Sequence, residues 1–265
     1  GVQTCALPIS LAAVNIAHFQ RAARSVESYM KNVEESFAAL TVGMDPETLI
    51  SIPDLDRTGI IVFGSAHGLC GQFNQEIVRF TLESLKNYGI GPGQRSFLVF
   101  GNRARSRLLR SDASPDRYLD ISGSISEVPR LMHQALSIIE EWTTKGIERV
   151  YLFHNRTESK ASFSQEAKLL LPLDPNWVSE VIRRGWRGKA EPVTDIERSE
   201  GLQQVSRHYF YGTMYRAFLE SMASENASRL AAMQAAESNI GDQLDELQSQ
   251  YNRMRQTAIT EELLD

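Results

Sequence analysis

Apolar residues recur at helical spacing near both ends of the chain, whereas in the middle they come in short unbroken runs. From Leu11 to Leu40 there is no proline or glycine, and Ala22, Val26, Tyr29, Val33 and Phe37 follow at steps of 4, 3, 4 and 4. That is one apolar stripe on a helix, with Arg24, Lys31, Glu34 and Glu35 off it. Gly43, Pro46 and Pro53 close the helix. After Pro192 there is no proline at all. Between about Val205 and Leu264, the residues Ile240, Leu244, Leu247, Tyr251, Met254 and Ala258 recur at steps of 4, 3, 4, 3 and 4, and Met214, Phe218 and Met222 continue a similar face upstream. A helix of about 60 residues is about 90 Å long, longer than one core of this size needs. A 4-3 seam asks for a helix against it, and the only comparable one is at the other end of the chain.

The stretch from Arg57 to Asp174 has another rhythm. Gly59–Phe63, Ser96–Phe100 and Arg149–Phe153 read as short buried strands, and Ala161–Leu171 as an edge strand. Helices are expected over Asn74–Tyr88, Arg103–Arg110 and Ser126–Lys145. Strands alternating with helices imply a parallel sheet with crossover connections. The fold class is therefore α/β: a Rossmann-like domain inserted between N- and C-terminal helices that form an antiparallel coiled coil. The expected boundaries are a first helix over 10–45, the α/β domain over 57–174, a linker over 175–204 rich in Pro, Gly and Trp, and the long helix over 205–265. The first nine residues, Gly1 to Ile9, read as the translation of a common sequencing adapter. They are expected to stand in place of native sequence and are set aside from fold reasoning.

Composition narrows the function classes. The 265 residues are 42% hydrophobic and carry a net charge of −5, which argues against a chain-wide nucleic-acid footprint. No apolar run approaches the ~20 residues of a bilayer span, so membrane association is expected to go through a partner. The two cysteines, Cys5 and Cys70, form neither a metal-ligand spacing nor a disulfide framework, which fits a reducing compartment.

Three features invite chemistry. Cys70 lies three residues from His67 in a glycine-rich loop, a possible thiol and base, but no nucleophile elbow surrounds them. Gly68 and Gly71 follow a strand and precede a helix, yet the Lys-Ser/Thr of a phosphate loop is missing. Arg183-Arg184-Gly185-Trp186-Arg187-Gly188-Lys189 is a short basic, aromatic patch, more often plain surface in an acidic chain. A cysteine-dependent hydrolase or ligand-binding α/β domain with a helical oligomerisation stalk is the alternative these features leave open.

Two segments resemble one family. Gly68-Leu69-Cys70-Gly71, after the strand ending Val62-Phe63, resembles the Gly-Leu-Cys-Gly loop of the gamma subunit of F-type ATP synthases. Glu220-Ser221-Met222-Ala223-Ser224-Glu225-Asn226 and the run Tyr251, Asn252, Arg255, Gln256, Ile259, Thr260, Glu262, Leu263 resemble that family's terminal helix. Ser65-Ala66-His67 departs from the family's charged Ser-Asp-Arg, and this departure, with Leu11–Ile16, is similar to the alternative, N-type branch often proposed to pump sodium. The family usually runs a few residues past the position of Asp265. The resemblance implies a central rotor shaft without catalytic residues, metal or cofactor. It implies partners in the alpha and beta subunits, the epsilon subunit and the membrane c-ring, with no nucleic acid and membrane contact only through the complex. The implied location is the cytoplasmic face of a bacterial inner membrane, and the implied coupling ion is a proton or sodium. Partner-contact residues on this basis are Arg255, Gln256, Thr260 and Glu262 on the helix and Gly68, Leu69, Cys70 and Gly71 in the loop, the loop beside epsilon.

Overall fold

The computed structural model describes residues 2–49, 57–111, 113–158, 163–190 and 192–264, with side chains described from residue 9 to residue 260 within those spans. The element order is α1 (Val2–Leu40), β1 (Thr58–Phe63), α2 (Phe73–Asn87), β2 (Arg95–Phe100), α3 (Asn102–Leu109), β3 (Arg117–Leu119), α4 (Val128–Thr144), β4 (Arg149–Thr157), β5 (Phe163–Leu171), α5 (Pro175–Arg184) and α6 (Arg198–Leu264). The sheet runs β3-β2-β1-β4-β5. Its first four strands are parallel, with Ile60 opposite both Phe97 and Tyr151, and β5 closes one edge antiparallel to β4. The expected edge strand is thus present over Phe163–Leu171, while residues 161 and 162 lie outside the described ones.

Side chains alternate across a strand, and both faces of this sheet are covered. Ile60, Val62, Phe97 and Val99 face α2 and α3 through Ile77, Leu85, Ala104 and Leu108. Ile61, Phe63, Leu98, Phe100 and Leu152 face the other way, onto α4 and onto Met214, Ala217, Phe218 and Met222 of α6. Phe218 stands edge-on to Phe63 with ring centres 5.2 Å apart, and Phe63 in turn edge-on to Phe100 at 4.8 Å. Such aromatic pairs add roughly 1 kcal/mol beyond area burial. The first part of α6 is therefore a layer of the α/β domain as well as a strand of the coiled coil.

Along α1 the buried residues Ala12, Phe19, Val26 and Val33 follow in steps of seven, with Phe37, Ala38 and Leu40 buried beyond them. Ala22 and Tyr29 flank that line, half-buried. Leu40 lies against Gly201 and Met30 against Gly212, so α1 and α6 run antiparallel. A Cβ on Gly212 would sit 2.3 Å from Met30 Sδ and 3.0 Å from the Tyr29 ring, so the bare backbone is what lets the helices close there. Equal rise on both helices brings the start of α1 level with about Ile240 of α6.

This register corrects the pairing expected of the long seam. Ile240, Leu244, Leu247, Tyr251 and Met254 are 51–66% exposed, and among the described residues no helix covers them. Their spacing is real, but α1 does not reach that far. The 175–204 segment is corrected too. It holds α5, started by Asp174, whose carboxylate accepts from the Asn176 amide at 2.9 Å, with Pro175 in the first turn, and stopped at Gly185, whose φ is +65°. Val178 and Val181 of α5 are buried beside Phe37, and Trp177 packs at a tilt between Phe37 (4.8 Å) and Tyr209 (4.2 Å). The long helix then begins at Arg198, earlier than residue 205.

Because Phe218 serves both the sheet and the coiled coil, Phe218→Ala is expected to cost about 3–5 kcal/mol through the cavity it leaves. The domain and the coiled coil packed on it should lose structure in one calorimetric transition. Leu247→Ala, on the exposed part, should stay within about 0.5 kcal/mol of the unsubstituted chain.

Candidate functional site: the projecting helix and the loop at its base

Beyond about Ile240, α6 continues as a lone helix to Leu264, about 36 Å at 1.5 Å per residue. Arg255, Gln256 and Thr260 are exposed on it. The Thr260 hydroxyl donates to the Gln256 carbonyl at 2.8 Å. Among the described residues neither the Arg255 guanidinium nor the Gln256 amide has a partner, so both are free to meet groups outside the chain. Glu262 lies on the helix, but its side chain is outside the described ones.

The loop after β1 is seated at the base of this projection. Ser228 Oγ of α6 donates to the Cys70 carbonyl at 2.7 Å, and the loop is held from within by Asn74. The Asn74 side chain accepts from the Ser65 amide (2.9 Å) and donates to Ser65 Oγ (2.7 Å) and Cys70 Sγ (3.4 Å). Gly101, at φ +87°, makes room, since a Cβ there would lie 2.6 Å from the Ser65 backbone. The loop thus lies toward the end of the domain from which α6 emerges, away from the end carrying Leu40 and α5.

Within it, Leu69 stands out. It has φ +60°, the only positive value among the described non-glycine residues, and its side chain is 73% exposed. Left-handed backbone is costly for a leucine, and here its side chain gains no burial in return. Gly71 is exposed and Gly68 half-exposed. Cys70 is different: its side chain is buried within the chain. Its Sγ faces Ser65 Oγ at 3.6 Å and the His67 carbonyl at 3.7 Å. Burial pushes the thiol up from its ordinary value, with a hydrogen bond from Ser65 working against it. A neutral buried thiol whose neighbour is the His67 carbonyl, with the His67 residue itself exposed, is a poor nucleophile.

The basic patch is partly spent on structure. Arg184 pairs with Glu34 at 2.9 Å and Glu180 at 2.7 Å, and the Trp186 indole donates to the Ala190 carbonyl at 2.8 Å.

A further cluster gave no signal in sequence, because its members are far apart in the chain. His154 on β4, Glu166 on β5 and Glu220 on α6 bring a ring nitrogen and two carboxylate oxygens within 4.8 Å of one another. The spacing would suit a metal, but the charges are already answered. Arg216 holds one oxygen of Glu220 at 2.9 Å, and Lys168 and Arg156 lie 3.3 and 3.6 Å from Glu166. His154 Nε2 donates to Glu220 at 3.1 Å. Its Nδ1 is buried without a hydrogen-bond partner, whereas a metal-bound imidazole carries its proton on the other nitrogen and donates it. The trio is an ion-pair network tying sheet to shaft. Burial pushes Glu220 up, but hydrogen bonds and charge from His154 and Arg216 outweigh it and hold the carboxyl at about 2.

With this geometry in view, comparison with known proteins is direct. A family model described as ATP synthase matches residues 9–265. The chain belongs to that family. It is 28% identical over 236 residues to the ATP synthase gamma chain of Nitrosomonas europaea, covering 88% of this chain and 80% of that one. To the gamma chain of Stenotrophomonas maltophilia K279a it is 29% identical over 247 residues, covering 92% and 83%. Its fold resembles a chain from the central stalk and c-ring of the Tetrahymena thermophila mitochondrial ATP synthase, with a TM-score of 0.62 at 20% identity, covering 88% of this chain and 99% of that one. A chain from the rotor of the Euglena gracilis enzyme matches at TM-score 0.57 and 15% identity, covering 98% and 100%.

The Glu220 network carries a pH signature. A carboxylate held at about 2, below its ordinary 4.5, stabilises the fold fully above 4.5 and loses that contribution as pH falls towards 2. The gap in unfolding free energy between the wild type and Glu220→Gln should therefore be largest at neutral pH, at most about 3 kcal/mol. Urea titrations should show it shrinking across that acid window.

Proposed function

We propose that this chain is the central-stalk gamma subunit of an F-type ATP synthase. It couples rotation of a membrane ring to conformational change in a surrounding set of catalytic subunits. The observation that carries the reading is the lone stretch of α6. A helix that leaves its domain, outruns its partner helix and keeps an apolar seam half-exposed must enter something else. Relatives named ATP synthase gamma chain, and the likeness to central-stalk and rotor chains, support the same reading.

The chain's own part in the chemistry is mechanical. The exposed Arg255 guanidinium is suited to forked bonds with carboxylates that break and re-form as the shaft turns. Leu69, held out of the loop at the base of the projection, offers an apolar knob beside it. Each orientation of an asymmetric shaft favours a different conformation of each catalytic subunit around it, so rotation shifts their populations in turn. The alpha and beta subunits would surround the projecting helix, and the α/β domain with epsilon would face the c-ring. Among the described residues no helix is long and apolar enough to cross a membrane. We place the chain at the cytoplasmic face of a bacterial inner membrane, bound there through its partners. The thiol-hydrolase alternative loses its nucleophile to the burial of Cys70.

Alone, the chain should hydrolyse no ATP, and mixed with alpha and beta subunits it should restore turnover. Arg255→Ala with Gln256→Ala should lower ATP hydrolysis of the assembled complex by roughly tenfold, the scale of one charge-assisted contact, with assembly on a sizing column unchanged. Turnover by the isolated chain that is lost in Cys70→Ala would reverse the assignment.

A further inference from the structure

Three residues of α6, Glu220, Ser224 and Ser228, follow at steps of four and so lie in one row on the helix surface. Each bonds the α/β domain, two of them through β4 and one through the loop after β1. Glu220 accepts from His154 Nε2 at 3.1 Å. Ser224 Oγ lies 2.9 Å from Thr157 Oγ1, and its proton is shared between the Asn155 carbonyl at 3.3 Å and its own helix's Glu220 carbonyl at 2.9 Å. Ser228 donates to the Cys70 carbonyl at 2.7 Å. The partners sit on the second half of β4 and in the loop after β1.

The rest of this joint is apolar. Phe218, Met222 and Ala223 press on the face carrying Phe63 and Phe100. Apolar contact is non-directional and resists separation more than twist. Hydrogen bonds weaken steeply with misalignment, so a row of them resists turning of the helix about its own axis. The position of the row matters as much as its chemistry. From residue 234 to residue 260 α6 is exposed throughout, so the row is the last polar anchorage before the shaft leaves the domain.

We propose that Glu220, Ser224 and Ser228 key the α/β domain to the shaft and set the torsional stiffness of their joint. The proposal rests on the stalk reading above. These residues position the shaft; they touch no reacting group. Ser→Ala changes leave the apolar seat filled, so the row can be removed without emptying the core.

The test uses the assembled alpha–beta–gamma complex, stalled without nucleotide. A probe is attached to Ser111→Cys in the exposed turn just after α3 in a Cys5→Ala background, and its angular variance is recorded. With Glu220→Gln, Ser224→Ala and Ser228→Ala together, the variance should widen by roughly twofold as the directional bonds are lost, while ATP hydrolysis by the complex persists. A second chain carrying Thr157→Cys and Ser224→Cys should narrow it again on oxidation and release it on reduction, a reversal that a general loss of stability would not show. Unchanged variance in an intact complex carrying the triple substitution overturns the proposal. Failure of the unsubstituted chain to assemble or to support hydrolysis would remove the stalk reading, and the proposal with it, and is read separately from the variance.

Discussion

A long helix cannot bury itself, and the structure is organised around where α6 finds cover. Its first half is covered on two sides, by the sheet face through Met214, Phe218 and Met222 and by α1 through the line of Phe19, Val26 and Val33. Removing either cover would leave the other layer incomplete. The sheet needs α6 to close one face, α6 needs the sheet to hold its direction, and α1 needs the small residues of α6 to approach it. Gly201 and Gly212 allow that approach, each at a point where a Cβ would meet a side chain of α1. The domain and the coiled coil are thus one cooperative unit, although they read as separate modules along the chain.

Much of this was legible in the residues. The three apolar runs gave three sheet strands, the helical periods gave α1, α2, α4 and α6, and the glycine loop fell where a strand passes to a helix. Three parts were not. The strand Arg117–Leu119 is three residues long and carries no periodic signal. The α5 helix hides in a segment whose prolines, glycines and tryptophans suggest a linker, although Asp174-Pro175 is a helix start on inspection. The seam from Ile240 to Ala258 has a correct period, but period says that a partner is wanted and not which one. Of the residues expected to meet partners, Arg255, Gln256, Thr260 and Leu69 are exposed and Cys70 is buried. The His154–Glu220 pair spans 66 positions in sequence, beyond the reach of any local pattern.

Polar and apolar contacts divide the labour between sheet and shaft. Phe63, Phe100 and Phe218 supply attraction, most of it from buried area, with a smaller part from their edge-on geometry. His154, Thr157 and the Cys70 carbonyl supply angle, because each accepts or donates along a fixed direction. The loop that carries Leu69 is fixed by the same row, so the knob on the surface and the bond on the helix move together.

The uncovered strip on α6 also has a consequence for the life of the molecule before it meets any partner. A row of half-exposed Ile, Leu, Tyr and Met side chains on a solitary helix is a ready surface for a second copy of the same strip. Chains made faster than they are captured would zip to one another along this strip. A surplus of uncovered chains is therefore a hazard to solubility.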